Sequence, residues 1–106
     1  MFDINTVNKR YFDIKLSVII EETVKELKLE VEPPKLKTLK KITSLNKNRN
    51  EEMLDDLIDA VGMILSKNKA GKKVSDEIMD ELNFDQLTGI LDAYFEWLGK
   101  EKNSPN

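Results

Sequence analysis

The stretch RYFDIKLSVIIEETVKELKLEVEPP, Arg10–Pro34, decides the fold because it supports two periods at once. Phe12, Ile14, Leu16 and Val18 alternate with Asp13, Lys15 and Ser17, the period of a half-buried strand. Leu27, Leu29 and Val31 alternate with Lys28, Glu30 and Glu32, and Pro33-Pro34 ends the run. The middle, IIEETVKE, is ambiguous, since Leu16, Ile19, Ile20, Val24 and Leu27 also form a helical stripe. The preferred reading is two antiparallel strands with a longer, part-helical connection; a helix across the middle is the alternative. Two strands alone are marginal in water, so they must pack on the remainder of the chain.

The chain beyond Pro34 reads as helices. Pro33 and Pro34 suit a helix start, where a fixed φ is already helical and a missing N–H costs nothing. Leu36, Leu39 and Ile42 then share one face, with Lys37, Lys40 and Lys41 on another. After the polar NKNRN, the segment EEMLDDLIDAVGMILSK carries an apolar stripe of Leu54, Leu57, Ile58, Val61, Ile64 and Leu65 opposite Asp55, Asp56 and Asp59. Asn50 is its expected N-cap. Glu51 and Glu52 suit the positive end of the helix dipole, and Lys67 and Lys69 the negative end. Gly71 marks a turn. VSDEIMDEL reads as a short helix capped by Ser75, with Val74 stapled to Met79. NFDQLTGILDAYFEWLGK is the last helix, opened by an Asn83/Gln86 capping box with Leu82 stapled to Leu87, and closed by Gly99.

The expected class is therefore α+β, mainly α-helical. An N-terminal two-stranded antiparallel element, with or without an inserted helix, packs on a bundle of about four helices. The chain has 106 residues, enough for one domain, placed at 1–99 with a flexible tail at 100–106. Its 40% hydrophobic share is too high for a disordered chain. The first residues lack a signal-peptide core and no apolar run is long enough to span a membrane, so a soluble, cytoplasmic protein is expected.

Several chemistries lose support. The chain contains no cysteine and no histidine, which removes thiolate metal sites, the triad base and the commonest zinc ligand. Carboxylates one turn apart, such as Asp55 with Asp59 and Asp76 with Asp80, lack a calcium-loop pattern and read as solvated faces. Phosphate-loop and esterase signatures are missing. No enzyme, cofactor or metal is expected.

Charge is segregated along the chain. Every charge from Lys35 to Arg49 is positive, from Glu51 to Asp59 negative, from Lys67 to Lys73 positive, and from Asp76 to Glu96 negative. Solvated helix faces explain this; an electrostatic surface that orients partners is the functional alternative. Lys37, Lys40 and Lys41 form the compact basic face. The net charge of −3 and the lack of interleaved aromatics argue against nucleic acid there.

The last helix is the most informative. Phe84, Leu87, Leu91, Tyr94 and Leu98 lie near one line, Ile90 and Trp97 widen it on one flank, and Phe95 on the other, giving an arc of roughly 160° at 3.6 residues per turn. A single core-facing stripe needs about 100° or more. Either the domain wraps both flanks, or part of the arc is a partner or self-association surface. Phe84, Ile90, Tyr94, Phe95 and Trp97 are the candidates for such a surface.

KRYFDIKL, LEVEPPKLKTLKKI, KNKAGKKVS and LDAYFEWLGKEKNSPN, taken in order, resemble the small tail assembly chaperones of long-tailed bacteriophages, especially those of Gram-positive hosts. The likeness runs from Arg10 onward; IIEETVKE departs from the short strand connection of that family. The resemblance implies a non-enzymatic protein in the cytoplasm of the bacterial host, absent from the mature virion. It would bind and solubilise the tape-measure protein and help recruit tail-tube subunits. Many such chaperones are also made in a longer form by ribosomal frameshifting, and Leu98-Gly99-Lys100 is compatible with a slip-prone codon run. The alternative reading is a small phage or host adaptor or regulatory domain acting through protein–protein contacts, with nucleic acid on the basic helix.

Overall fold

A computed structural model describes residues 1, 3, 10–47 and 51–102. The elements run β1 (Phe12–Ile20), β2 (Thr23–Val31), α1 (Leu36–Lys47), a 3₁₀ turn (Glu51–Met53), α2 (Leu54–Ser66), α3 (Asp76–Asp80) and α4 (Phe84–Lys102). This is the expected α+β architecture, a two-stranded antiparallel sheet followed by four helices.

The connection between the strands is where the expectation fails. IIEETVKE forms neither a helix nor a long loop: β1 and β2 pair from Phe12↔Val31 through to Ile20↔Thr23, leaving only Glu21 and Glu22 in the turn. Both turn residues have positive φ, 50° and 64°. Two consecutive residues of that conformation match the right-handed twist of the flanking strands, but the usual sequence sign is Asn-Gly. Two glutamates give no such sign, and adjacent isoleucines blur the alternation.

Register assigns the faces. Directly opposed residues share a side, so Phe12, Ile14, Leu16 and Val18 point with Val31, Leu29 and Leu27 toward the helices. Leu16, Val18, Leu29 and Val31 are buried. Asp13, Lys15, Ser17, Lys28 and Glu30 face out, with Glu26 3.3 Å from Lys15.

The helix α2 is central, packing on α1, α4 and β2. It buries Leu57, Ala60, Val61, Ile64 and Leu65. The 3₁₀ turn precedes it, so its start lies at Leu54 with Met53 as N-cap and no side-chain capping bond; Asn50, the expected cap, is outside the described residues. After α2 the chain is tied to the sheet edge. The Glu32 amide donates to the Lys67 carbonyl, and the Lys69 amide to the Glu30 carbonyl, both at 2.9 Å. Buried Asn68 holds this loop: its amide nitrogen donates to the carbonyls of Leu65 and Lys72, at 2.8 and 2.7 Å, while its oxygen accepts from the Lys72 amide. Gly71, at φ 68°, completes the turn. Lys67 and Lys69, expected at the α2 dipole, turn elsewhere. Lys67 donates to the Pro33 carbonyl and Lys69 lies 5.4 Å from the Tyr11 ring centre.

The later helix starts are set by local sequence. Ser75 accepts from the Ile78 amide, with Val74 and Met79 both in the core. Asn83 and Gln86 form the reciprocal capping box at 2.8 and 2.9 Å. The expected end is wrong: α4 passes through Gly99 to Lys102, so Gly99 is a helical residue and not a cap. Residues 103–106 lie outside the described residues.

Candidate partner-binding surface

The last helix meets the root of the hairpin in an aromatic cluster. Phe12 enters it from β1, Tyr94, Phe95 and Trp97 from α4. The Phe12 and Tyr94 rings meet edge to face with centres 5.6 Å apart, and Trp97 is 5.7 Å from each. Phe95 meets Tyr94 edge to face at 6.1 Å. Such pairs add about 0.5–1.5 kcal/mol each beyond burial.

Arg10 closes the cluster. Its guanidinium carbon lies 4.5 Å from the Trp97 ring centre. One nitrogen donates to the Trp97 carbonyl at 3.2 Å and another to that of Leu98 at 3.4 Å. A cation there meets both the ring face and two backbone carbonyl oxygens of α4. Burial pushes the Tyr94 phenol well above its ordinary range, and the nearby Arg10 charge partly opposes that rise.

The five candidate residues do not form one patch. Phe84 and Trp97 are thirteen positions apart, about 20 Å along a helix axis. Ile90 and Tyr94 belong to the core, with Tyr94 fully buried. Phe84, Phe95 and Trp97 are half-buried and pack against that core. The wide arc of α4 is thus largely enclosed from both flanks, with the rims of these three rings and part of Leu98 left open. On α1, Lys37, Lys40 and Lys41 are all exposed, on a face beside that of buried Ile42 and Leu45, and make no ion pair among the described residues.

Two surface features escaped sequence reasoning. Ile19 and Val24 oppose each other near the hairpin tip and are 65% and 64% exposed, a bare apolar pair on an otherwise polar face. Leu36, at the start of α1, is 75% exposed. The helical stripe of the middle segment counted Ile19 and Val24 as core; the strand register turns them outward. Arg10 also gave no signal, because its partners are eighty-seven and eighty-eight positions away.

No protein-family model, curated protein or solved structure matches this chain. Among the described residues, no helix is long and apolar enough to cross a membrane.

Proposed function

We propose that this protein is a small tail assembly chaperone of a long-tailed bacteriophage, acting in the host cytoplasm without enzymatic activity or cofactor. Its role is to bind the tape-measure protein, keep it soluble and help bring tail-tube subunits to it. The ordered sequence resemblance from Arg10 onward supports the reading. The structural observation that carries it is the aromatic cluster at the end of α4, where Phe95 and Trp97 stay half-buried on a braced base of Phe12, Tyr94 and Arg10. Rigid, amphipathic rings of this kind are favoured anchors for apolar helical partners. A tape-measure chain exposes such helical surface before assembly, and covering it prevents aggregation.

Coexpression with the tape-measure protein that this reading implies tests it. The wild-type chain raises the soluble fraction of that partner, and Trp97→Ala and Phe95→Ala reduce it while circular dichroism stays native. Unchanged partner solubility and oligomeric state in a folded Trp97→Ala variant would sink the assignment. The exposed Lys37, Lys40 and Lys41 favour a second reading, an adaptor that contacts polyanions. Heparin or RNA binding with a steep salt slope, lost on substitution of these lysines, would support it.

A further inference from the structure

The hairpin leaves one edge of β1 open. In a hairpin closed by a two-residue turn, Ile20 and Thr23 exchange both backbone hydrogen bonds, and every second pair back along the ladder does the same. Asp13, Lys15, Ser17 and Ile19 therefore direct their backbone N–H and C=O groups away from β2. The same parity sends Glu30 and Glu32 outward on β2, where they bond to the Lys67–Lys69 segment. Among the described residues, no backbone group plays that part for β1.

Beside this edge lies a groove of about 470 Å³ between β1 residues 12–17 and α4. Its α4 wall includes Gln86, Gly89, Ile90 and Ala93. Gly89 and Ala93, one helical turn apart, are exposed, and nothing lies within 4 Å of where a Cβ on Gly89 would sit. A neighbouring strand added to β1 would thus have both backbone partners and room beneath it for side chains.

We infer that the strand is β1 of a second copy of this chain, paired antiparallel across a two-fold axis at Ile14 to make a continuous four-stranded sheet. Charge complementarity selects both the occupant and the register. With Ile14 opposite Ile14, Asp13 of each copy faces Lys15 of the other, twice over the axis. Asp13 has no ion pair among the described residues, and Lys15 has only the exposed Glu26. The same register sets Phe12 against Leu16, so the buried face of the enlarged sheet is apolar at every paired position from 12 to 16. A covered edge also removes a row of unpaired backbone groups that invites uncontrolled strand addition. The inference is separate from the chaperone reading, since a monomeric chaperone would overturn the first and not the second.

The chain has no cysteine, so a single introduced thiol reports the register cleanly. Opposed residues of a non-hydrogen-bonded pair have Cα atoms about 4.5 Å apart, within disulfide reach. Under mild oxidation the full-length Ile14→Cys variant becomes a covalent dimer, whereas Ile19→Cys does not. By light scattering over a concentration series the wild type dimerises. Asp13→Lys and Lys15→Asp each weaken the dimer roughly tenfold or more by placing like charges across the axis, and the double exchange restores it. A wild type monomeric at every soluble concentration overturns the inference. So does a dimer that crosslinks through Ile19→Cys and not Ile14→Cys. If a charge variant fails to fold, the cysteine pair still decides.

Discussion

Arg10 stacks on Trp97 at 4.5 Å and donates to the carbonyl of the same residue at 3.2 Å, so one side chain holds the root of the hairpin to the last turns of α4. Both interactions are part-buried, and each is worth about 0.5–2 kcal/mol. Arg10→Ala is therefore expected to lower unfolding free energy by about 1–3 kcal/mol in urea titrations. Arg10→Lys recovers only part of this, because an ammonium lacks the planar fork. Trp97 is the sole tryptophan, so its emission should shift toward the exposed value in Arg10→Ala and report the loosened cluster directly.

The turn stores conformational cost. Glu21 and Glu22 both sit at positive φ, where non-glycine side chains are crowded by the backbone. Replacing them with Asn-Gly keeps the turn and relieves the crowding. The double substitution should stabilise the protein by about 1 kcal/mol or more, seen as a higher urea midpoint with an unchanged slope. A loss of stability would mean that the chain turns by some other route.

Alkaline pH should weaken the fold through Tyr94. Burial raises its folded-state pKa above the unfolded value, so between the two the folded state holds a proton that the unfolded chain has released. The contribution is fully present below a pH of about 10 and shrinks as pH rises beyond it, by at most about 1.4 kcal/mol per pH unit. Comparing wild type with Tyr94→Phe between pH 9 and about 11.5 isolates this group. The stability gap between them should change above a pH of about 10, with the wild type losing more.

Gly99 gives opposite predictions under two readings. As a left-handed cap it would resist substitution; as a helical residue it is a weak point, because glycine carries excess backbone freedom that folding must remove. It lies inside α4 with open space where a Cβ would go. Gly99→Ala should raise the melting temperature, by an amount matching roughly 0.5–1 kcal/mol and less if the last turn frays.

Features carried by residues a few positions apart were legible in the sequence. The Ser75 cap and the Asn83/Gln86 box are local hydrogen bonds between i and i+3, and their donors and acceptors are written in the chain. The core stripes of α2 and of the two strands come from period alone. Gly99 misled because a glycine followed by charge resembles a helix stop, while α4 instead continues through it to Lys102. Asn68 carried no such local sign, yet it is buried and bonds to three backbone groups.

For the candidate surface, residue types could be chosen from sequence but their exposure could not. An apolar arc of roughly 160° on α4 says how much of the helix avoids water, not which neighbour covers it. Periodicity by itself established the α+β class and the helix faces, since these depend on geometry along one element, and the order of charges along the chain gave the acidic and basic segregation. Tertiary structure alone decided that the strands meet through two glutamates, that Tyr94 is interior and Ile19 exterior, and that Arg10 belongs to Trp97. Each of those outcomes depends on register or on contacts between distant segments, and a one-residue change of register reverses which face of a strand is buried.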